Sequence, residues 1–379
     1  MDIPLGRIAG IKVGMNVLVL LVAGLFAITL ATNRFPATAP GHSSTAYWVA
    51  GIAGAILFFW SLLAHEIGHA LVAKDEGIGV KSMGLTPLGG VTRMETSPST
   101  AGAEFRVSVV GPIASATCGV VFLVLSAVLP DDGLLGLGGE MFRWLGRINL
   151  ILAALNMVPA APLDGGKVLA AAIWKATDSR VIAMTVTAVV GIVLGMVMIT
   201  VSFRELRAQD GDPYAAFILV TGAFVAFSAF QQLRSAPLFR ALDGLTVTQA
   251  MAAHPPSAPA WTTVGDFLRT STPRPEHQAY PVIGPDGSVT GLLTAAAIRA
   301  VPPERWDTMA VSALAYPLDR LAFIHADEQL LPALQKVENA DVVHALVVAS
   351  DGTVVGTLDP SVTGRVVAAR AQQRTPARA

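Results

Sequence analysis

The sequence predicts an α-helical membrane protein of about six spans, followed by a smaller α/β body built from two similar halves. Three observations carry this. Of the 379 residues, 53% are hydrophobic and only 14% charged, against roughly a quarter charged in soluble domains. Up to Leu233 the apolar residues gather in stretches of the length that a bilayer core requires. Beyond Arg234 the apolar runs shorten, charges return regularly, and a strand, an Asp-Gly turn and a second strand occur twice. The net charge of −1 gives no overall basic footprint, so no nucleic-acid partner is expected. Cys118, the single cysteine, can form no internal disulfide and no cysteine zinc site. It sits in an apolar run and reads as a packed small hydrophobe.

In chain order, Met1–Val13 carries Arg7 and Lys12 and leads into a first span, Met15–Thr32, which reads as retained rather than as a cleaved signal. Asn33–Ser44 is a polar loop. Tyr47–Ala73 is the second span. The glycine-rich stretch Gly77–Met94 holds two β-prone pieces, Val80–Leu85 and Val91–Met94, and is expected to be a hairpin beside the membrane or a plain loop. Phe105–Leu129 is the third span, carrying Gly111-Pro112. Met141–Val158 is the fourth and breaks in Asn156–Gly166, where Pro159, Pro162, Gly165 and Gly166 interrupt a helix. Broken backbone at membrane depth is tolerated where it is buried or lines a wet cavity. Val181–Phe203 and Pro213–Leu233 are the fifth and sixth spans. With six spans, eleven Lys and Arg residues fall on the side of the termini and five on the other, so both termini are expected in the cytoplasm of a cell-membrane protein.

Near the end of the second span lies His65-Glu66-Ile67-Gly68-His69. On a helix, His65 and His69 project from one face a turn apart, a spacing that suits one zinc ion, with Glu66 beside it as a general base. A solvated helix face is the plainer reading, but the uncharged run Trp48–Phe59 upstream argues against it, because ionisable groups in a membrane segment are costly. A catalytic zinc needs a third ligand. His42 falls on the wrong side, and His254, His277, His325 and His344 fall in the C-terminal part. Asp164 falls at the same depth as the histidines, because the second and fourth spans run in the same direction. It is a third ligand or the cap of a metal-free Asp-Gly-Gly turn. Asn156 offers an amide to a substrate backbone or an oxyanion, and would serve equally to satisfy freed helix carbonyls.

Together, His65-Glu66-Ile67-Gly68-His69, Gly111-Pro112 and Pro162-Leu163-Asp164-Gly165-Gly166 resemble the site-2 protease family of intramembrane zinc metalloproteases. The opening Pro4-Leu5-Gly6-Arg7-Ile8-Ala9-Gly10-Ile11 resembles the branch with C-terminal CBS domains. The resemblance implies one zinc per chain held by His65, His69 and Asp164, with Glu66 catalytic. It also implies single-span membrane proteins as substrates, anti-sigma factors and similar regulators among them. No outer loop is long enough for the PDZ domain of some members, and the short Asn-Pro motif is replaced by Asn156-Met157-Val158-Pro159.

The expected domains are a protease domain over 1–233, two units over 243–300 and 305–368, and a basic, disordered tail over 370–379. The two units resemble CBS domains, which pair and often bind adenine nucleotides. The family's ribose-binding Asp, three residues after a Thr, is replaced by Ala297 after Thr294 and by Pro360 after Thr357. A structural role, or homodimerisation through the pair, is therefore as well founded as nucleotide binding. Two other functions compete: a CBS-regulated transporter, and a non-catalytic membrane protein with a structural zinc.

Overall fold

The computed structural model describes residues 2–87, 89–130, 132–208, 213–271, 278–338, 340–362, 364 and 366. His277 and the expected tail 370–379 lie outside them. The chain forms two compact units, Met1–Ala236 and Pro237–Ala379.

The first unit opens with strands, not with a plain flank. β1 (Asp2–Ile8) and β2 (Ile11–Asn16) form an antiparallel hairpin whose turn residues, Ala9 and Gly10, have φ of 51° and 84°. β2 runs parallel to β3 (Val80–Thr86), which turns back into β4 (Gly89–Met94), giving one sheet in the order β1-β2-β3-β4. The hairpin expected in Gly77–Met94 is thus half of a larger sheet. Alternation sorts its faces. Ile11, Val13, Met83 and Leu85 are 3–5% exposed and pack on Leu62, Leu63 and Ala70. Burying each such side chain contributes roughly 1.5–3 kcal/mol.

The first span begins later than its hydropathy suggests, because Met15 and Asn16 belong to β2. It runs as α1 (Leu18–Thr29), a π-helical turn over Leu30–Arg34 and α2 (Phe35–Thr38), so the expected loop starting at Asn33 is partly helical. α3 (Ser44–Asp75) starts where the Ser43 hydroxyl accepts from Ala46 N. α4 (Ala101–Val128) is capped the same way by Thr100. α5 (Gly133–Asn156), α6 (Asp164–Thr177), α7 (Arg180–Ala208) and α8 (Pro213–Leu242) follow.

Among the described residues, five stretches are long and apolar enough to cross a membrane: Leu18–Thr38, α3, α4, α7 and Ala215–Leu242. α5 supplies the sixth long helix of this unit and carries Glu140, Arg143 and Arg147. Buried Glu140 accepts from Arg34 Nη2 at 3.1 Å and from Arg143 Nη1 at 3.0 Å, so its charge is paired in place. α4 packs on α5 through Gly119 and Gly146, where a Cβ on either would meet the other helix.

The second unit is two copies of one pattern. β5 (Ala252–Ala253), β6 (Ala258–Pro259), α9 (Val264–Thr270), β7 (Ala279–Ile283), β8 (Val289–Thr294) and α10 (Ala295–Arg299) form the first. After α11 (Val311–Leu314), β9 (Tyr316–Pro317), β10 (Ala322–His325), α12 (Leu330–Glu338), β11 (Ala345–Val348) and β12 (Val354–Leu358) form the second. The two sheets run β6-β7-β8-β9 and β10-β11-β12-β5, so each copy lends its first strand to the other. Both expected Asp-Gly turns form. Asp286 Oδ1 accepts from Ser288 N and Oγ, Asp351 Oδ1 from Thr353 N and Oγ1, and Gly287 and Gly352 take φ of 80° and 83°. At the places where the sequence lacks an acid, Thr294 caps α10 by accepting from Ala297 N, and Asp359 instead accepts from Ser361 N.

Candidate metal centre

His65, Glu66 and His69 are 3%, 7% and 6% exposed, on the stretch of α3 covered by the sheet and by α4. Asp164 is 7% exposed and is the first residue of α6, where the free amides and the helix dipole favour a carboxylate. It arrives there because the chain breaks between Met157 and Leu163. That segment is buried at Ala160 and Ala161, and Ala161 N donates to Thr187 O on α7 at 3.3 Å. Gly165 and Gly166 admit the first turn of α6: a Cβ on Gly165 would press on the Met157 backbone, and one on Gly166 on Ala160. The Asp-Gly-Gly run is therefore a packing requirement as well as a cap.

Three atoms converge. His65 Nε2 and His69 Nε2 are 3.1 Å apart, and Asp164 Oδ2 lies 3.1 Å from the first and 3.2 Å from the second. The opposite ring nitrogens set the tautomers. His69 Nδ1 is 2.6 Å from the Val107 carbonyl oxygen, which can only accept, so Nδ1 carries the proton and Nε2 presents a lone pair. His65 Nδ1 is 2.9 Å from Ser115 Oγ, a hydroxyl able to donate or accept; when it accepts, His65 Nε2 presents a lone pair as well. Two imidazole lone pairs and a carboxylate oxygen then face one another, a donor set that suits a cation. The donors suit zinc, which takes His nitrogen and carboxylate oxygen. Gly111 leaves the room: a Cβ there would lie against His69 Nε2 and His65 Nε2. Asp164 Oδ1 accepts from Lys167 Nζ at 3.2 Å, which leaves Oδ2 to face the histidines.

Glu66 also offers an oxygen within 4.8 Å of both histidines. Its Oε2 accepts from Thr92 Oγ1 of β4 at 2.8 Å. β4 comes this close because residue 90 is glycine; a Cβ there would overlap the Glu66 side chain. Asp164 touches both imidazoles while Glu66 is turned to β4, so Asp164 is the better third ligand and Glu66 stands beside the centre.

The structure brings His65, Glu66, His69 and Asp164 together. Asn156 ends α5, half-buried, and no described hydrogen bond joins it to these four. Sequence reasoning missed Ser115, the Val107 carbonyl, Thr92 and Lys167. Ser115 follows Gly111 by one turn on α4 and Lys167 follows Asp164 by three residues, so both had a helical signal. The Val107 carbonyl had none.

The model of peptidase family M50 matches residues 53–135 and 135–202. The chain is 34% identical over 367 residues to the putative zinc metalloprotease Rip3 of Mycobacterium tuberculosis, covering 96% of this chain and 92% of Rip3. It is 30% identical to the putative zinc metalloprotease sll0528 of Synechocystis, covering 94% and 93%. Among solved structures, the site-2 protease of Methanocaldococcus jannaschii is similar with a TM-score of 0.41 and 24% identity, over 62% of this chain and 96% of that one. The CBS domain of a bacterial CNNM/CorC family Mg2+ transporter, in complex with ATP, is similar with a TM-score of 0.29 and 16% identity, over 36% and 97%.

Proposed function

The chain belongs to peptidase family M50, the site-2 protease family of zinc metalloproteases, and we propose that it cuts the transmembrane segments of single-span membrane proteins, regulators of the anti-sigma-factor kind among them. The observation that carries this is the buried convergence of His65 Nε2, His69 Nε2 and Asp164 Oδ2 in a multi-pass membrane protein. These three hold one zinc per chain. Bound there, zinc lowers the pKa of a water towards neutrality and polarises a carbonyl. Glu66, steadied by Thr92, takes the proton of the attacking water at its carboxylate and delivers it to the departing amide nitrogen. Asn156, half-buried at the end of α5, offers its amide to the substrate backbone or to the developing oxyanion.

A helical substrate hides its carbonyls in its own hydrogen bonds and must be drawn out first. β4 is the means. Among the described residues it has β3 on one side and no strand on the other, and its Thr92 touches Glu66, so a chain laid along it is extended beside the centre. The protein resides in the cell membrane with both termini cytoplasmic, a reading supported by the Lys and Arg asymmetry. The C-terminal pair serves as a structural or dimerising body. Nucleotide binding has one observation in its favour, a cavity of about 250 Å3 between the halves that includes Arg299, His344 and Asp359.

The test is substrate-blind. Wild type and Glu66→Gln are expressed in the same cells, and membrane-protein N-termini are compared. New N-termini inside single-span segments are expected with wild type only, while Glu66→Gln keeps its zinc. Equal profiles would overturn the proposal. Loss of zinc in Glu66→Gln would instead make Glu66 a fourth ligand and favour the structural site.

A further inference from the structure

The outward face of the N-terminal sheet carries a row of cations that the chemistry above does not use. Arg7 pairs with Lys12, Lys12 with Ser82, and Ser82 with Arg93, so these residues form one cross-strand line over all four strands. Val13, Met83 and Thr92, one residue along, face α3 and Glu66. Arg7, Lys12 and Arg93 therefore project away from the catalytic helix, and all three are exposed. No described hydrogen bond or ion pair engages any of them. With strands about 4.8 Å apart, the line spans roughly 14 Å.

Beside this row lies a groove of about 350 Å3, lined by Lys12 and Arg93 and by Pro4, Gly14, Gly84 and Val91 of the next row. Its floor is glycine because the strands leave no room: a Cβ on Gly84 would press on the Gly14 carbonyl oxygen. The groove opens next to the free edge of β4.

We propose that this face selects acidic residues in the segment of the substrate drawn along β4. A chain added at the β4 edge points alternate side chains to the two faces of the sheet. Those on the inner face meet Gly90 and Thr92, beside Glu66. Those on the outer face meet Val91 and Arg93, with Lys12 two strands further in. An aspartate or glutamate there finds unpaired positive charge, whereas a lysine is repelled. The substrate of this enzyme thus carries acidic residues, at alternate positions, in the extended part that flanks the cut. An anionic lipid headgroup shares the carboxylate's charge, but the row is continuous with the strand edge that reaches Glu66, which favours a peptide.

This inference rests on the reading of β4 as the substrate strand, and its test needs no cleavage. Full-length Glu66→Gln protein is placed in phosphatidylcholine nanodiscs. The probes are a fluorescent twelve-residue peptide alternating Thr or Val with Asp, and its Asn and Lys twins. One exposed pair with Arg93, with the longer-range field of Lys12 and Arg7 behind it, predicts that the Asp peptide binds about fivefold tighter than the Asn twin at low salt, and that the advantage fades near 1 M salt. The Lys twin should bind weakest. The triple variant Arg7→Gln, Lys12→Gln, Arg93→Gln should bind the Asp and Asn peptides alike. Equal binding of these two by the parent protein would overturn the proposal. So would an advantage that survives the triple variant, or one that appears only when phosphatidylglycerol is present, which would make the row a lipid site. A protein that prefers the Asp peptide yet yields no new N-termini in the cellular comparison would sink the protease reading and leave the basic row standing.

Discussion

At the residue scale, the centre depends on who holds the far side of each ligand. His69 is fixed by a backbone carbonyl, which side-chain substitution cannot remove, but His65 is fixed by the Ser115 hydroxyl alone. Ser115→Ala leaves His65 Nδ1 without its partner in a site 0% exposed at Ser115. Losing an outer partner of this kind weakens metal affinity by about 10–100-fold. Zinc titration of the purified variant against a competing chelator should show that loss with helix content unchanged; unchanged affinity would mean that the tautomer is set some other way. The four central residues were legible in the sequence because two physical patterns are local. The i, i+4 histidines need only a helix, and the Pro- and Gly-rich break before Asp164 announces a change of direction. Thr92 was not legible. Its approach to Glu66 depends on a glycine 24 residues beyond Glu66, on another element.

At the element scale, the sequence showed five of the six expected spans, the fourth forming a long helix outside that set, and both Asp-Gly hairpins, since hydropathy over 20 residues and a two-residue turn are short-range signals. It did not show β1 and β2. Their turn places Ala9 at positive φ, where Asn or Gly is the usual residue, and β2 finds β3 across some seventy residues of chain. The strand exchange between β5 and β9 was hidden for the same reason. In the C-terminal unit, His344 stands just before β11, and burial pushes its imidazole below the ordinary value, with Asp359 opposing. The folded state therefore binds this proton less readily than the unfolded chain. Stability is fully present above the unfolded value, near 6.5, and is lost as pH falls below it towards the folded value. Thermal melts of this unit in the full-length protein should drop in midpoint between about pH 7 and 5, and His344→Gln should flatten that drop. A parallel drop in the variant would assign it to other groups.

At the scale of the whole molecule, the two units answer to different physics. The first satisfies its backbone within helices and a sheet and pairs buried Glu140 and Asp164 with neighbouring cations, as a bilayer demands. The second is a water-type core, with Ile324, Leu330, Leu346 and Leu358 fully buried between short strands and helices. The proposed zinc centre lies in the first, where α3 and α6 meet. The measurement is metal content of detergent-purified full-length protein, wild type beside Asp164→Ala. About one zinc per chain is expected in wild type, sharply reduced in the variant, because affinity at such a site is built from all its deprotonated ligands. No zinc in wild type after supplementation, or equal zinc in both proteins, would contradict the three-ligand centre.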